Sequence, residues 1–228
     1  MIVLAIEAST PSGSVALFRD EVLLSRCDVP MGVSREDTLF PAVQLVVAEA
    51  GITARDISAI VCGNGPGSFT SLRIAAAVAK GLAYATGAAL YAVSSHVLAA
   101  AAHGHAGEYV VHSDALRGER YATMVSVNAS GNAECVGDMV RVAASDVRQV
   151  AGTRSLLAVH HAGDHAQGQT GTHAVDTVVV PDAAALYRVA EWRDRGAVSL
   201  NEWEPQYGRL AEAQVKWEAV HQMPLPER

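Results

Sequence analysis

The chain has 228 residues, of which 50% are hydrophobic, 18% charged and 5% aromatic, with a formal net charge of −7. The hydrophobic fraction excludes a disordered chain, and 19 glycines with 8 prolines exclude a collagen-like or low-complexity one. With Lys80 and Lys216 the only lysines, no diffuse positive field draws in a phosphate backbone, which argues against autonomous nucleic-acid binding.

Residues 2–6 and 14–18 read as short strands joined by a polar turn at 8–13, ASTPSG. Arg19 and Asp20 turn the chain into a third run, 22–29. A helix follows over 38–50, entered through a cap at Ser34 with Asp37 three residues on, and closed by Gly51. Its apolar positions Leu39, Phe40, Val43, Val46, Val47 and Ala50 recur at helical spacing, and Pro41 bends or delays the first turn. A strand at 57–62 runs into Gly63-Asn64-Gly65-Pro66-Gly67-Ser68. A second helix covers about 70–85, a strand 90–93, and a third helix 95–102.

The pattern then returns. Residues 109–113 are apolar and end at Asp114, as 2–6 end at Glu7, an offset of 107 residues. A polar loop at 115–120, a strand at 121–127, a turn at 128–132 and a third run at 135–142 follow. The implied organisation is two related α/β lobes, 1–104 and an abbreviated 105–206, with 207–228 packing back on the first lobe. Residues 160–173, HHAGDHAQGQTGTH, read as a surface loop, 182–195 as a helix and 212–221 as a short terminal helix. The apolar region 74–90 is interrupted by Lys80, Gly81, Thr86 and Gly87 and is no convincing membrane span. The apolar start meets Glu7 at once, without the flanks of an export signal. Cys27, Cys62 and Cys135 are odd in number and widely spaced, so the expectation is a reducing cytoplasm.

Strand, Gly-rich loop and helix at 57–85 make the physical recipe for a phosphate site, with Gly63, Gly65, Gly67 and Ser68 as its candidates. The loop lacks the Gly-Lys-Ser/Thr ending of a P-loop and the third glycine of a dinucleotide fingerprint, and its glycines equally suit a tight turn. The following helix is apolar nearly all round, with only Arg73 and Lys80 charged. Such a helix must be covered on more than one side. Either it is a core helix, or Leu72, Ala75, Ala76, Ala79, Leu82 and Ala83 dock on another subunit together with Leu39, Val43, Val46 and Val47. Ser68 sits in no nucleophile elbow, Ser94-Ser95-His96 implies no proton transfer by adjacency, and the nine histidines form no helical ligand pair, so neither hydrolase nor metal chemistry is expected. Carboxylates for a phosphotransferase would fall at Glu7 and Asp114, but neither turn has the Asp-x-Gly that seats phosphates on backbone. Asp114, Arg117, Glu119 and Arg120 read instead as a local ion-pair cluster.

Residues 65–74, GPGSFTSLRI, with Lys80-Gly81-Leu82-Ala83, resemble the signature of the TsaB (YeaZ) family of tRNA threonylcarbamoyladenosine biosynthesis. Residues 2–17 resemble its opening hairpin, 113–121 (SDALRGERY) its second-lobe motif, and Pro205-Gln206-Tyr207-Gly208-Arg209 its C-terminal motif. The family motif residues carried over are Glu7, Thr70, Arg73, Asp114, Arg117, Gly118, Glu119 and Tyr121. The chain departs from the family at Glu7-Ala8, where Asp-Thr is usual, and at Ser71 and Ala75, where glycine is usual. The resemblance implies a two-lobed actin-like, Hsp70-like, sugar-kinase-like α/β fold without catalysis of its own. It implies a scaffold for a TsaD-type catalytic subunit, with a TsaE-type ATPase, a homodimer through the same helical face, and tRNA contacted only indirectly. It implies no required cofactor and no metal, with ATP or ADP placed at a partner interface.

Overall fold

The computed structural model describes residues 1–31, 38–159, 176–190, 192–194, 196–208 and 221. Ser34, Asp37, Arg209, the 160–173 stretch and all of the expected terminal helix but His221 lie outside them.

The first sheet holds β1 (Ile2–Glu7), β2 (Ser12–Arg19), β3 (Val22–Pro30), β4 (Ala59–Gly63) and β5 (Ala89–Val93) in the order β3-β2-β1-β4-β5. The first three form an antiparallel meander, and β4 and β5 join parallel to β1. The second sheet repeats this plan. Here β6 (Gly107–Asp114), β7 (Glu119–Val127) and β8 (Ala133–Cys135) make the meander, while β10 (Ser155–Val159) and β11 (Thr177–Val179) run parallel to β6. A further strand, β9 (Val140–Ala143), also pairs with β7. The single run expected over 135–142 is therefore two short strands on one neighbour, split where Gly137 and Asp138 break the apolar pattern.

Central strands buried on both faces read as near-continuous apolar runs. β1 sends Leu4 and Ile6 to the outer face, and Val3 and Ala5 to the inner one. Over the outer face lie α1 (Leu39–Glu49) and α2 (Phe69–Thr86). Ser68 precedes α2 as its cap, and Gly87 ends it at φ +77°, a conformation that glycine adopts without a Cβ penalty. Pro41 sits in the first turn of α1, where its missing N–H breaks no helical bond.

Between the sheets lies α3 (Ser95–His103), buried on every side: Val97, Leu98, Ala99, Ala100 and Ala101 are all core. A 3-10 turn at Ala183–Arg188 packs beside it through Leu186. The helix expected over 182–195 is shorter than the sequence suggests, since Val189 bridges to Ala133 and ends it. On the outer face of the second sheet, α4 (Val147–Ala151) covers Val110, Ala122 and Leu156. The chain returns to the first lobe by Val198, whose N–H donates to Leu90 O (2.7 Å), and Trp203 follows it there beneath Lys80.

Candidate functional site

In open α/β sheets a ligand crevice lies at the carboxyl ends of the parallel strands. Here β1 and β4 run side by side, with Ile6 opposite Cys62, which brings Glu7 next to Gly63. Glu7 is 1% exposed. Its Oε1 accepts the Ser9 N–H (2.6 Å), and its Oε2 accepts the Ser95 hydroxyl (2.8 Å) from the first turn of α3. Burial pushes the Glu7 carboxyl above its ordinary value, and the Ser9 and Ser95 hydrogen bonds pull it only partly back. Burial first, and the Glu7 charge second, also push the Cys62 thiol up, so this cysteine is no nucleophile. A Cβ on Gly63 would stand 2.0 Å from Glu7 Oε2, so the carboxyl fills the space that a side chain would take.

The Gly-rich loop is filled in the same way. Asn64 N–H donates to Val93 O (2.7 Å), Gly65 N–H to Ser95 Oγ (3.1 Å) and Ser68 N–H to Ser9 O (2.8 Å). Gly65 (φ +89°) faces the carbonyl of Gln206, and a Cβ on Gly67 would meet Ser9 O at 2.3 Å. These glycines admit other parts of the chain. With those donors engaged and a buried carboxyl on its floor, the crevice does not fit a nucleotide phosphate. Of the candidate phosphate residues, Gly63, Gly65 and Gly67 lie in close backbone packing, and Ser68 caps α2 and bonds the Ser71 hydroxyl (3.0 Å).

The interface candidates are placed by their burial. Leu39, Val43, Val46, Leu72, Ala75, Ala76, Ala79 and Ala83 are buried within this chain, and Val47 and Leu82 are half-buried. Helical periodicity marks the inward stripe of an amphipathic helix, and these residues are that stripe. Outward stand Phe40 (40% exposed), Leu45 (47%), Ile74 (40%) and Tyr84 (85%).

The remaining motif residues spread over three places. Thr70 and Arg73 are exposed on α2, with the Arg73 guanidinium 5.3 Å over the Phe69 ring. Asp114 ends β6 as Glu7 ends β1, but it is half-buried and accepts the Leu116 N–H (3.1 Å) in a local turn. Leu116, Arg117 and Gly118 follow at φ +62°, +54° and +77°. Glu119 pairs across the strands with Arg141 at 3.6 Å. Tyr121 is buried, and its hydroxyl donates to Tyr207 O at 3.4 Å.

Ser95 and His96 face different lobes. While Ser95 holds Glu7, His96 places Nδ1 2.9 Å from Thr123 Oγ1 and Nε2 2.9 Å from Ser113 Oγ. Sequence reasoning assigned no role to Ser113, Thr123 or Gln206. Ser113 and Gln206 fall inside the quoted motifs, whereas a hydroxyl at an inward-facing strand position was the signal for Thr123, and it is weak.

Two related lobes on one meander-plus-parallel plan, with a crevice where their central strands end, define the actin-like, Hsp70-like and sugar-kinase-like class. Residues 29–190 match the family described as tRNA N6-adenosine threonylcarbamoyltransferase, TsaD. The tRNA threonylcarbamoyladenosine biosynthesis protein TsaB of Bacillus subtilis is 28% identical over 95% of this chain and 98% of its own length. TsaB of Escherichia coli is 39% identical over 36% of each chain. YeaZ from Pseudomonas aeruginosa superposes with a TM-score of 0.75 at 25% identity, covering 90% of this chain and 99% of that one. The chain belongs to the threonylcarbamoyltransferase (TsaD) family, on its TsaB/YeaZ branch.

Proposed function

We propose that this chain is a non-catalytic subunit of the apparatus that makes N6-threonylcarbamoyladenosine in tRNA, and that it binds and activates a TsaD-type transferase. The observation that carries this reading is the crevice: Glu7, Ser9 and Gln206 occupy the carboxyl ends of the first lobe's parallel strands, where open α/β sheets place ligands. The outward residues of α1 and α2, Leu45, Ile74 and Tyr84 among them, are the contact surface on this reading. A standard interface takes roughly 800 Å² per partner, within reach of two exposed helix faces. The same face serves a homodimer when the partner is absent. A TsaE-type ATPase and the tRNA meet the assembly through the catalytic subunit, and ATP or ADP binds at the shared interface. The setting is the cytoplasm; no described helix is long and apolar enough to cross a membrane.

The test is capture of a TsaD-type subunit by the purified chain. Ile74→Glu and Tyr84→Arg change exposed side chains, so the fold stays intact and capture falls at least tenfold, about 1.4 kcal/mol. Undiminished capture by both variants would place the interface elsewhere. Turnover of Mg-ATP by the isolated chain, abolished by Asp114→Ala, would replace the whole reading with a phosphotransferase.

A further inference from the structure

We propose that residues 205–208 form a latch that holds the two lobes closed over the crevice, and that its release is what opens the crevice. The inference is independent of the partner reading above. On the first lobe, Gln206 N–H donates to Asn64 O (2.8 Å), and the Tyr207 ring packs on Phe69 with centroids 4.6 Å apart. On the second lobe, Tyr207 O accepts the Tyr121 hydroxyl, and Gly208 (φ +66°) lies where a Cβ would be 2.5 Å from the Tyr121 ring. One residue thus turns its ring to one lobe and its carbonyl to the other.

The two ends of α3 explain why this edge opens and the other hinges. Toward its C-terminus Ala99, Ala100 and Ala101 pack with Leu186 in an apolar core that joins both sheets. Toward its N-terminus the lobes meet through polar contacts, Ser95 with Glu7 and His96 with Ser113 and Thr123, which water can replace. Beside the latch Asn64 Oδ1 is buried with no hydrogen-bond partner. Opening would hydrate it, so the closed form carries a penalty that the latch contacts offset. The latch stays tethered when released, because Val198 and Trp203 fix the preceding stretch to the first lobe.

Hydrogen exchange of the isolated full-length chain tests this. Tyr207→Ala removes the ring contact, and Gly208→Ala drives a methyl group into Tyr121 from the other side. Each raises exchange of the peptides holding Gly65 and Gln206 roughly tenfold, while β2 and α1 keep their wild-type rates. Tyr207→Phe keeps both ring and carbonyl and exchanges like the wild type. Unchanged exchange at Gly65 in both alanine variants would overturn the latch. So would a rise confined to 205–208, or one spread evenly over the chain, which marks a lifted tail or a general loss of stability.

Discussion

Gly67 and Gly81 offer the same substitution with opposite expected signs. A Cβ at Gly67 would lie 2.3 Å from Ser9 O, 2.5 Å from Ser9 Cβ and 2.8 Å from Ser9 C. Ser9 is fully buried and its carbonyl accepts the Ser68 N–H, so the neighbour is backbone that cannot swing aside. Overpacking of this kind costs about 1–3 kcal/mol, and displacing the buried Ser9 carbonyl from its donor adds about 1–3 kcal/mol. Gly67→Ala should therefore destabilise by about 2–6 kcal/mol, a fall in Tm on the order of 10 °C for a chain of this size. A Cβ at Gly81 meets nothing within 4 Å, and the site is an exposed helix interior. Gly81→Ala should stabilise by about 0.5–1 kcal/mol through helix propensity. Urea unfolding of the two variants beside the wild type decides the matter. If Gly67→Ala unfolds within about 1 kcal/mol of the wild type, the loop is looser than described and the argument against a seated phosphate fails.

Two pH predictions follow from buried titratable groups. Because the folded-state pKa of Glu7 is raised, its stabilising contribution is full below the ordinary carboxylate value and is lost as pH rises through the folded value. Glu7→Gln mimics the protonated form, so its stability advantage over the wild type should grow between pH 4 and 8; a difference that does not change with pH would refute the shift. His112 is buried on β6, with Nε2 3.0 Å from Asp176, whose other oxygen Arg148 holds; burial lowers its pKa and Asp176 offsets this only in part. Its contribution is present above the unfolded value of 6.5 and is lost as pH falls through the folded one. Thermal melts from pH 7.5 to 5 should show the wild type losing stability faster than His112→Gln, and parallel curves would overturn this.

Local signals carried far along this chain. The apolar run ending at Glu7 and its echo ending at Asp114 specified two equivalent central strands, because a strand buried on both faces has no room for alternation. Apolar residues placed α2 at about 70–85, and the structure bounds it at Phe69–Thr86 with Ser68 and Gly87 as its caps. The spacing of Leu39, Val43 and Val46 found a true stripe, but periodicity reports that a stripe exists and not what covers it. The first sheet covers it, so the exposed face falls to Leu45, Ile74 and Tyr84, which carry no pattern of their own.

The crevice shows the same division more sharply. The sequence by itself determined two related lobes, the strands and helices of the first, the opening hairpin of the second, and a glycine-rich turn at 63–68, since each rests on contacts between near neighbours in the chain. Only the tertiary structure decided what the turn receives. Ser9, Ser95 and Gln206 reach it from far along the chain, and a glycine that admits a phosphate has the same local signature as one that admits a carbonyl.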